Sequence, residues 1–155
     1  MRVPAQVIWK PVMQIYNLQF ATIVPLQDDI AEVIIRRDIE MDIPMVETYH
    51  EFLRDHFSAP FALLVNKKYP YTYTFEAQQV LATIPEISAM GILTYNAVSH
   101  ELSQSLINQP RIKKWNAKVF SKRDEALRWI NSQLHPGHID DDNGLSRFSQ
   151  GVNVS

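Results

Sequence analysis

Along the chain, hydrophobic positions switch between alternation and helical spacing, and the switches fall at prolines, which fix φ and lack the N–H that ladders and helices need. Between Pro11 and Pro25, Tyr16, Leu18, Phe20 and Thr22 alternate with Asn17, Gln19 and Ala21. That period of two predicts one long strand. The turn PLQDD (25–29) leads into IAEVIIRR (30–37), apolar and β-branched, so the two strands are predicted to form a hairpin. Asp42 ahead of Pro44 makes a helix start, and Val46, Tyr49, Leu53 and Phe57 then recur at helical spacing to about Phe57. FALLVN (61–66), after Pro60, is apolar on successive positions, as in a strand covered on both faces.

A second helix is predicted from Thr72 or Thr74, with Ala77, Val80, Leu81 and Ile84 as its buried stripe and Pro85 as its end. ISAMGILTY (87–95) is the fourth strand. Asn96 or Ser99 caps a third helix, whose Val98, Leu102 and Leu106 step by four before Pro110. WNAKVF (115–120) is the fifth strand. Ser121 and Asp124 resemble a capping box ahead of a fourth helix, with Ala126, Leu127, Ile130 and Leu134 inward and Pro136 beyond. The order β-β-α-β-α-β-α-β-α predicts an α/β fold with a mixed sheet of about five strands and four helices. Helical crossovers make it mainly parallel, with an antiparallel hairpin at its start. One domain is expected over residues 1–134, with 1–11 as lead-in. From His135 the periodicity is lost and glycines gather, so 135–155 reads as a flexible C-terminal tail.

Composition narrows the classes. A chain of 155 residues, 46% hydrophobic and 21% charged, is one domain's worth with a real core. A net charge of −2 gives no general attraction for nucleic acid or an anionic membrane, and no nucleic-acid partner is expected. The absence of cysteine excludes disulfides, thiolate chemistry and cysteine-ligated metal centres. The start, MRVPAQVIWKPVM, is broken by Pro4, Gln6, Lys10 and Pro11 and is unlike a secretory h-region. FALLV is far too short to cross a bilayer, so no transmembrane segment is predicted and a cytoplasmic location fits.

The hairpin followed by FALLVNKKYPYTYTFEA, ISAMGILTYNAVSHELSQSL and KWNAKVFSKRDEALRWI resembles the small bacterial STAS-type, SpoIIAA-like (anti-sigma-factor-antagonist-like) domains, over about residues 13–134. The resemblance implies a four-helix, mixed-sheet fold related to the lipid-binding CRAL-TRIO architecture, and it implies no chemistry. In switching members, the loop after the third strand carries an Asp-Ser-Ser-Gly-like motif whose serine is phosphorylated. Here that place reads Tyr69-Pro70-Tyr71-Thr72-Tyr73-Thr74, with no Ser, Asp or Gly. Only Thr72 or Thr74 remains as a phosphate acceptor at a helix start.

The same loop, NKKYPYTYTF (66–75), concentrates three of the six tyrosines beyond the carboxyl end of a central strand, where ligands of open α/β sheets sit. Asn66, Lys67, Tyr69, Tyr71, Thr72, Tyr73 and Thr74 are the candidate ligand- or partner-binding residues, tyrosine offering apolar area with a hydrogen-bonding tip. The alternative is structural: rings covering the core, hydroxyls capping a helix. Arg111, Lys113, Lys114 and Lys118, interleaved with Trp115 and continuing to Lys122 and Arg123, form a weaker anion patch or, alternatively, a solvated strand edge. With Gly91 the sole glycine before Gly137, no Walker loop or dinucleotide fingerprint is present, and no cofactor is predicted. Glu47 and His50 share a helix face without a third ligand, and IDDDNG (139–144) lacks the later glutamate of a calcium loop, so no metal site is predicted. The expected function is a non-catalytic STAS-like regulatory module working through protein contacts, a homodimer among them. A carrier or sensor of an apolar, lipid- or acyl-like small molecule is the alternative.

Overall fold

The computed structural model describes residues 14–111 and 113–138. The predicted lead-in and most of the predicted tail, including IDDDNG, lie outside them. In chain order the elements are β1 (Tyr16–Asn17), β2 (Ala21–Gln27), β3 (Ile30–Ile35), β4 (Glu40–Met41), α1 (Ile43–His56), β5 (Phe61–Asn66), β6 (Thr72–Tyr73), α2 (Phe75–Val80), β7 (Ile87–Leu93), α3 (Ala97–Asn108), β8 (Ala117–Phe120) and α4 (Arg123–Leu134). A short 3-10 turn, Pro136–His138, follows α4 and gives the start of the expected tail a fixed shape.

Six strands form one mixed sheet in the order β1-β2-β3-β5-β7-β8, one more than expected. β1, β2 and β3 are antiparallel neighbours, and β3, β5, β7 and β8 run parallel. Ile23, Val33, Val65, Ile92 and Val119 lie side by side across it, a row of β-branched residues on one face. The parallel strands are neighbours in chain order, so crossovers of one hand bring α1, α2 and α3 to the same face. There Val46, Leu53, Ala77 and Leu106 pack with Val33 and Val65. α4 covers the other face, with Ala126 and Ile130 against Ile30, Leu64 and Leu93. β5 lies between the two layers, buried at all six positions as its unbroken apolar run predicts.

Several elements differ from the sequence pattern. The single strand predicted over Tyr16–Thr22 is broken by a tight turn, closed by Leu18 N–H donating to the Ala21 carbonyl at 2.8 Å. The turn flips the inward phase, so Phe20 and Ala21 are both buried. Pro25 is no boundary. It lies within β2 at a bulge opposite Ala31, past the end of the two-residue β1, where its missing N–H breaks no ladder. α2 is shorter than predicted: Thr74 caps it, Ala82 turns left-handed at φ 57°, and Leu81 and Ile84 are buried from the following segment while Val80 is exposed. On α3 two of the three residues of the expected stripe are turned outward, and only Leu106 packs toward the core. Val98 and Leu102 are 69% and 66% exposed, and the side facing the sheet is small, with Ser103 buried. The capping box at Ser121 does not form either, since α4 starts at Lys122 without a side-chain cap.

α4 approaches the sheet closely at Gly91. A Cβ there would stand 3.0 Å from Ile130 Cδ1 and 3.2 Å from Cγ1. Gly91→Ala is therefore expected to destabilise the fold by about 1–2 kcal/mol through overpacking. Shortening the opposing side chain with Ile130→Val should recover part of that loss in denaturant melts of the double variant, whereas additive losses would refute the close approach.

Candidate functional site

Where β5 leaves the sheet, two successive polar residues turn to opposite faces, because strand side chains alternate. Asn66, on the α4 face, donates from Nδ2 to Glu32 Oε2 at 2.8 Å and accepts from the Tyr95 hydroxyl at 2.9 Å. Arg123 closes the group with two bonds to the Glu32 carboxylate, at 2.6 and 2.9 Å. Burial pushes the Glu32 carboxyl up, but the Arg123 and Asn66 hydrogen bonds outweigh it and hold the group below its ordinary range. The network is satisfied internally.

Lys67 faces the other way, under the helix layer, and meets a different environment. Its ammonium lies 4.6 Å from the Tyr71 ring centroid and 5.6 Å from that of Tyr73. Among the described residues no carboxylate pairs with it and no acceptor takes its hydrogens, and burial drags its pKa down to about 8. The Tyr71 and Tyr73 hydroxyls are 3.0 Å apart, their rings edge to face. With Tyr49, Leu106 and Trp115 they wall a cavity whose free space is about 30 Å³, room for water but for nothing much larger. Burial raises all three phenols, Tyr73 to about 12 and Tyr49 and Tyr71 well above their usual value, so each remains a neutral donor and acceptor beside the cation.

The outer wall of this cavity is a flap the sequence pattern did not reveal. β4 and β6 form a separate two-stranded parallel sheet, with Glu40 opposite Thr72 and Met41 opposite Tyr73. Backbone bonds flanking the pair extend it: Thr72 N–H to the Ile39 carbonyl at 3.0 Å, Thr74 N–H to that of Met41 at 2.9 Å and Asp38 N–H to that of Pro70 at 2.8 Å. Strand alternation turns Tyr71 and Tyr73 inward and Thr72 to solvent. Thr74 accepts the Ala77 N–H at 3.1 Å as the cap of α2, and Tyr69 stands outside, between Arg37 and Lys68. Of the seven candidates, Lys67, Tyr71 and Tyr73 converge; Asn66 belongs to the opposite face, and Tyr69, Thr72 and Thr74 do not reach the cavity. The location also differs from the general rule invoked for it. With parallel strands in chain order the sheet has no reversal of strand order, so no crevice opens at its edge, and the cavity lies between sheet and helices.

The basic stretch does not act as one patch. The Arg111 guanidinium carbon stands 3.8 Å from the Trp115 ring centroid, and the group donates to the Leu106 carbonyl at 2.7 Å and that of Gln78 at 3.2 Å, clamping the end of α3. Lys113 and Lys114 are exposed, and Lys118 rests over Phe120, whose ring packs with the α4 layer. β8 is the sheet's outer strand. As for metal, Glu47 is exposed while His50 is buried with Nε2 taken by the Ala82 N–H at 3.0 Å, and among the described residues no group of three carboxylate or imidazole side chains gathers. No helix among the described residues is long and apolar enough to cross a membrane.

Sequence reasoning overlooked Tyr49, which it counted only as helix core, and the polar pair Glu32–Arg123. A lone carboxylate inside the apolar IAEVII was the available signal, since a buried charge demands a partner. Compared with known proteins, the chain matches no family model, no curated protein and no solved structure.

The His50 contact generates a pH dependence. Burial, and then the neighbouring Arg54 guanidinium, pull the imidazole down to about 4 from 6.5, while Glu86 pulls the other way. A base with a depressed native pKa binds fewer protons folded than unfolded, so its stabilisation is complete above pH 6.5 and lost as pH falls toward 4. The expected loss is about 2–3 kcal/mol across that window. Urea melts of the wild type and His50→Gln at pH 7.5 and 4.5 check it: the difference between the two proteins should shrink at the lower pH, and a constant difference would contradict the assignment.

Proposed function

We propose that the protein is a non-catalytic binding module of the STAS-like kind that carries or senses a small, mostly apolar molecule with an anionic head. The observation supporting this is Lys67: a half-buried cation lining an apolar cavity, with tyrosine ring faces beside it and, among the described residues, no carboxylate to neutralise it. Such an arrangement costs stability as it stands, and an anion entering the cavity would supply the missing charge. Ligands larger than one water need the β4–β6 flap to lift. Its strands are two residues each, which puts it among the segments that open most easily.

Titration of the full chain with straight-chain carboxylates, read by the fluorescence of Trp115 in the cavity wall, tests the reading. Affinity should rise with chain length, vanish for the matching alcohols, and fall about ten- to a hundredfold in Lys67→Met, the worth of a charge-assisted hydrogen bond. Equal binding of acids and alcohols would refute it. The same variant should be more stable by about 1–2 kcal/mol at pH 7. The wild type regains neutral lysine as pH rises from 8 to 10.5, so that gain should fade over the same interval. A destabilised Lys67→Met would mark the lysine as a packing element held by its rings.

A second reading, the regulatory module acting through protein contacts, is favoured by the outward apolar face of α3, where Val98 and Leu102 continue from Tyr95, itself 58% exposed. Its homodimeric form predicts that Leu102→Asp lowers the mass found by light scattering at micromolar concentration without lowering thermal stability. A wild-type chain that is monomeric at every concentration would exclude that form.

A further inference from the structure

We propose that Lys67 is a carbonyl-condensing amine, which takes small apolar aldehydes as a reversible imine inside the cavity closed by Tyr71 and Tyr73. The inference rests on the reading that this cavity admits small molecules, and it adds a covalent step. Three observations converge. The ε-amino group has no carboxylate and no hydrogen-bond acceptor among the described residues, so only the Tyr71 and Tyr73 ring faces favour its charged form. Lys68, Lys113, Lys114, Lys118 and Lys122 are all exposed, whereas Lys67 is half-buried and lines the mostly apolar cavity. The rings of Tyr71 and Tyr73 stand 4.6 and 5.6 Å from it, and their hydroxyls, 3.0 Å apart, form a neutral proton-carrying pair in the wall of the same cavity.

The step balances without another reactant. The nitrogen lone pair of the neutral amine bonds to the aldehyde carbon, and one nitrogen proton moves to the former carbonyl oxygen, giving a carbinolamine. Its hydroxyl then leaves as water, taking up a proton that the tyrosine pair can relay and recover from nitrogen, and a C=N bond replaces the C–O bond. A lysine drawn down to about 8 holds about two hundred times more neutral amine at pH 7.5 than one at 10.5. Desolvated lysines act as nucleophiles for this reason.

Incubation of the full chain with propanal and sodium cyanoborohydride at pH 7.5, followed by peptide mass spectrometry, reads the rate of N-propylation at every lysine. Lys67 should be modified at least tenfold faster than Lys68, Lys113, Lys114, Lys118 and Lys122. Tyr71→Phe should slow Lys67 severalfold while leaving the exposed lysines unchanged. The lysines of one molecule serve as mutual controls, so the comparison holds without a variant. Modification of Lys67 no faster than its exposed neighbours would overturn the proposal. If carboxylates nonetheless bind by Trp115 fluorescence, the non-covalent site stands without the amine chemistry; if neither occurs, the cavity itself is not a ligand site.

Discussion

A strand buried on both faces must end somewhere, and the way β5 ends organises the molecule. Its six residues are enclosed between the α1–α3 layer and α4. The polar residues at its exit, Asn66 and Lys67, cannot both turn to water, because alternation commits one to each layer. On the α4 side the problem is solved within the fold, by Glu32, Arg123 and Tyr95 around Asn66. On the helix side it is left open: tyrosine rings meet Lys67, and among the described residues no carboxylate does. The contrast between the two exits, one neutralised and one not, is the physical basis for placing function at the second.

The same asymmetry accounts for the flap. A bare cation under the helix layer needs cover from the π faces that best tolerate it, and the loop after β5 supplies them by forming the short strand β6 against β4. Tyr71 and Tyr73 reach inward because they are two residues apart in extended backbone, with Thr72 outward between them. Thr74 then ends the strand by capping α2, and Thr72 pairs through its backbone with Glu40. His50 anchors the far side by holding the Ala82 amide in its left-handed turn, where the chain leaves α2 and skirts the cavity.

The long elements were legible in the sequence because their signals are local. Asp42 and Pro44 open α1 as expected, FALLVN is the fully enclosed strand, and Asn96 caps α3 through its bond to the Ser99 N–H. The failures have specific causes. The turn at Leu18–Ala21 carries no Gly or Asn-Gly signature, so an unbroken alternation concealed a phase change. Two-residue strands such as β4 and β6 are too short for any periodicity. The apolar spacing of Val98 and Leu102 identified a helix correctly but not the direction in which its stripe points, which depends on the sheet beneath. Lys67, Tyr71 and Tyr73 were singled out because tyrosine density is visible in one dimension. Their enclosure was not, since Tyr49, Leu106 and Trp115 arrive from α1, α3 and the approach to β8. Glu32 and Arg123 are 91 residues apart and meet only through the crossover order.

The central claim is that the Lys67 amine is desolvated and uncompensated. A pH titration of the chain labelled with 13C and 15N at lysine, following the Cε and Nζ resonances assigned to Lys67, measures it directly. The expected midpoint is near 8, produced by burial alone. A midpoint at the ordinary lysine value of 10.5 would mean that water or an opposing charge reaches the ammonium, and the proposed site would lose its foundation.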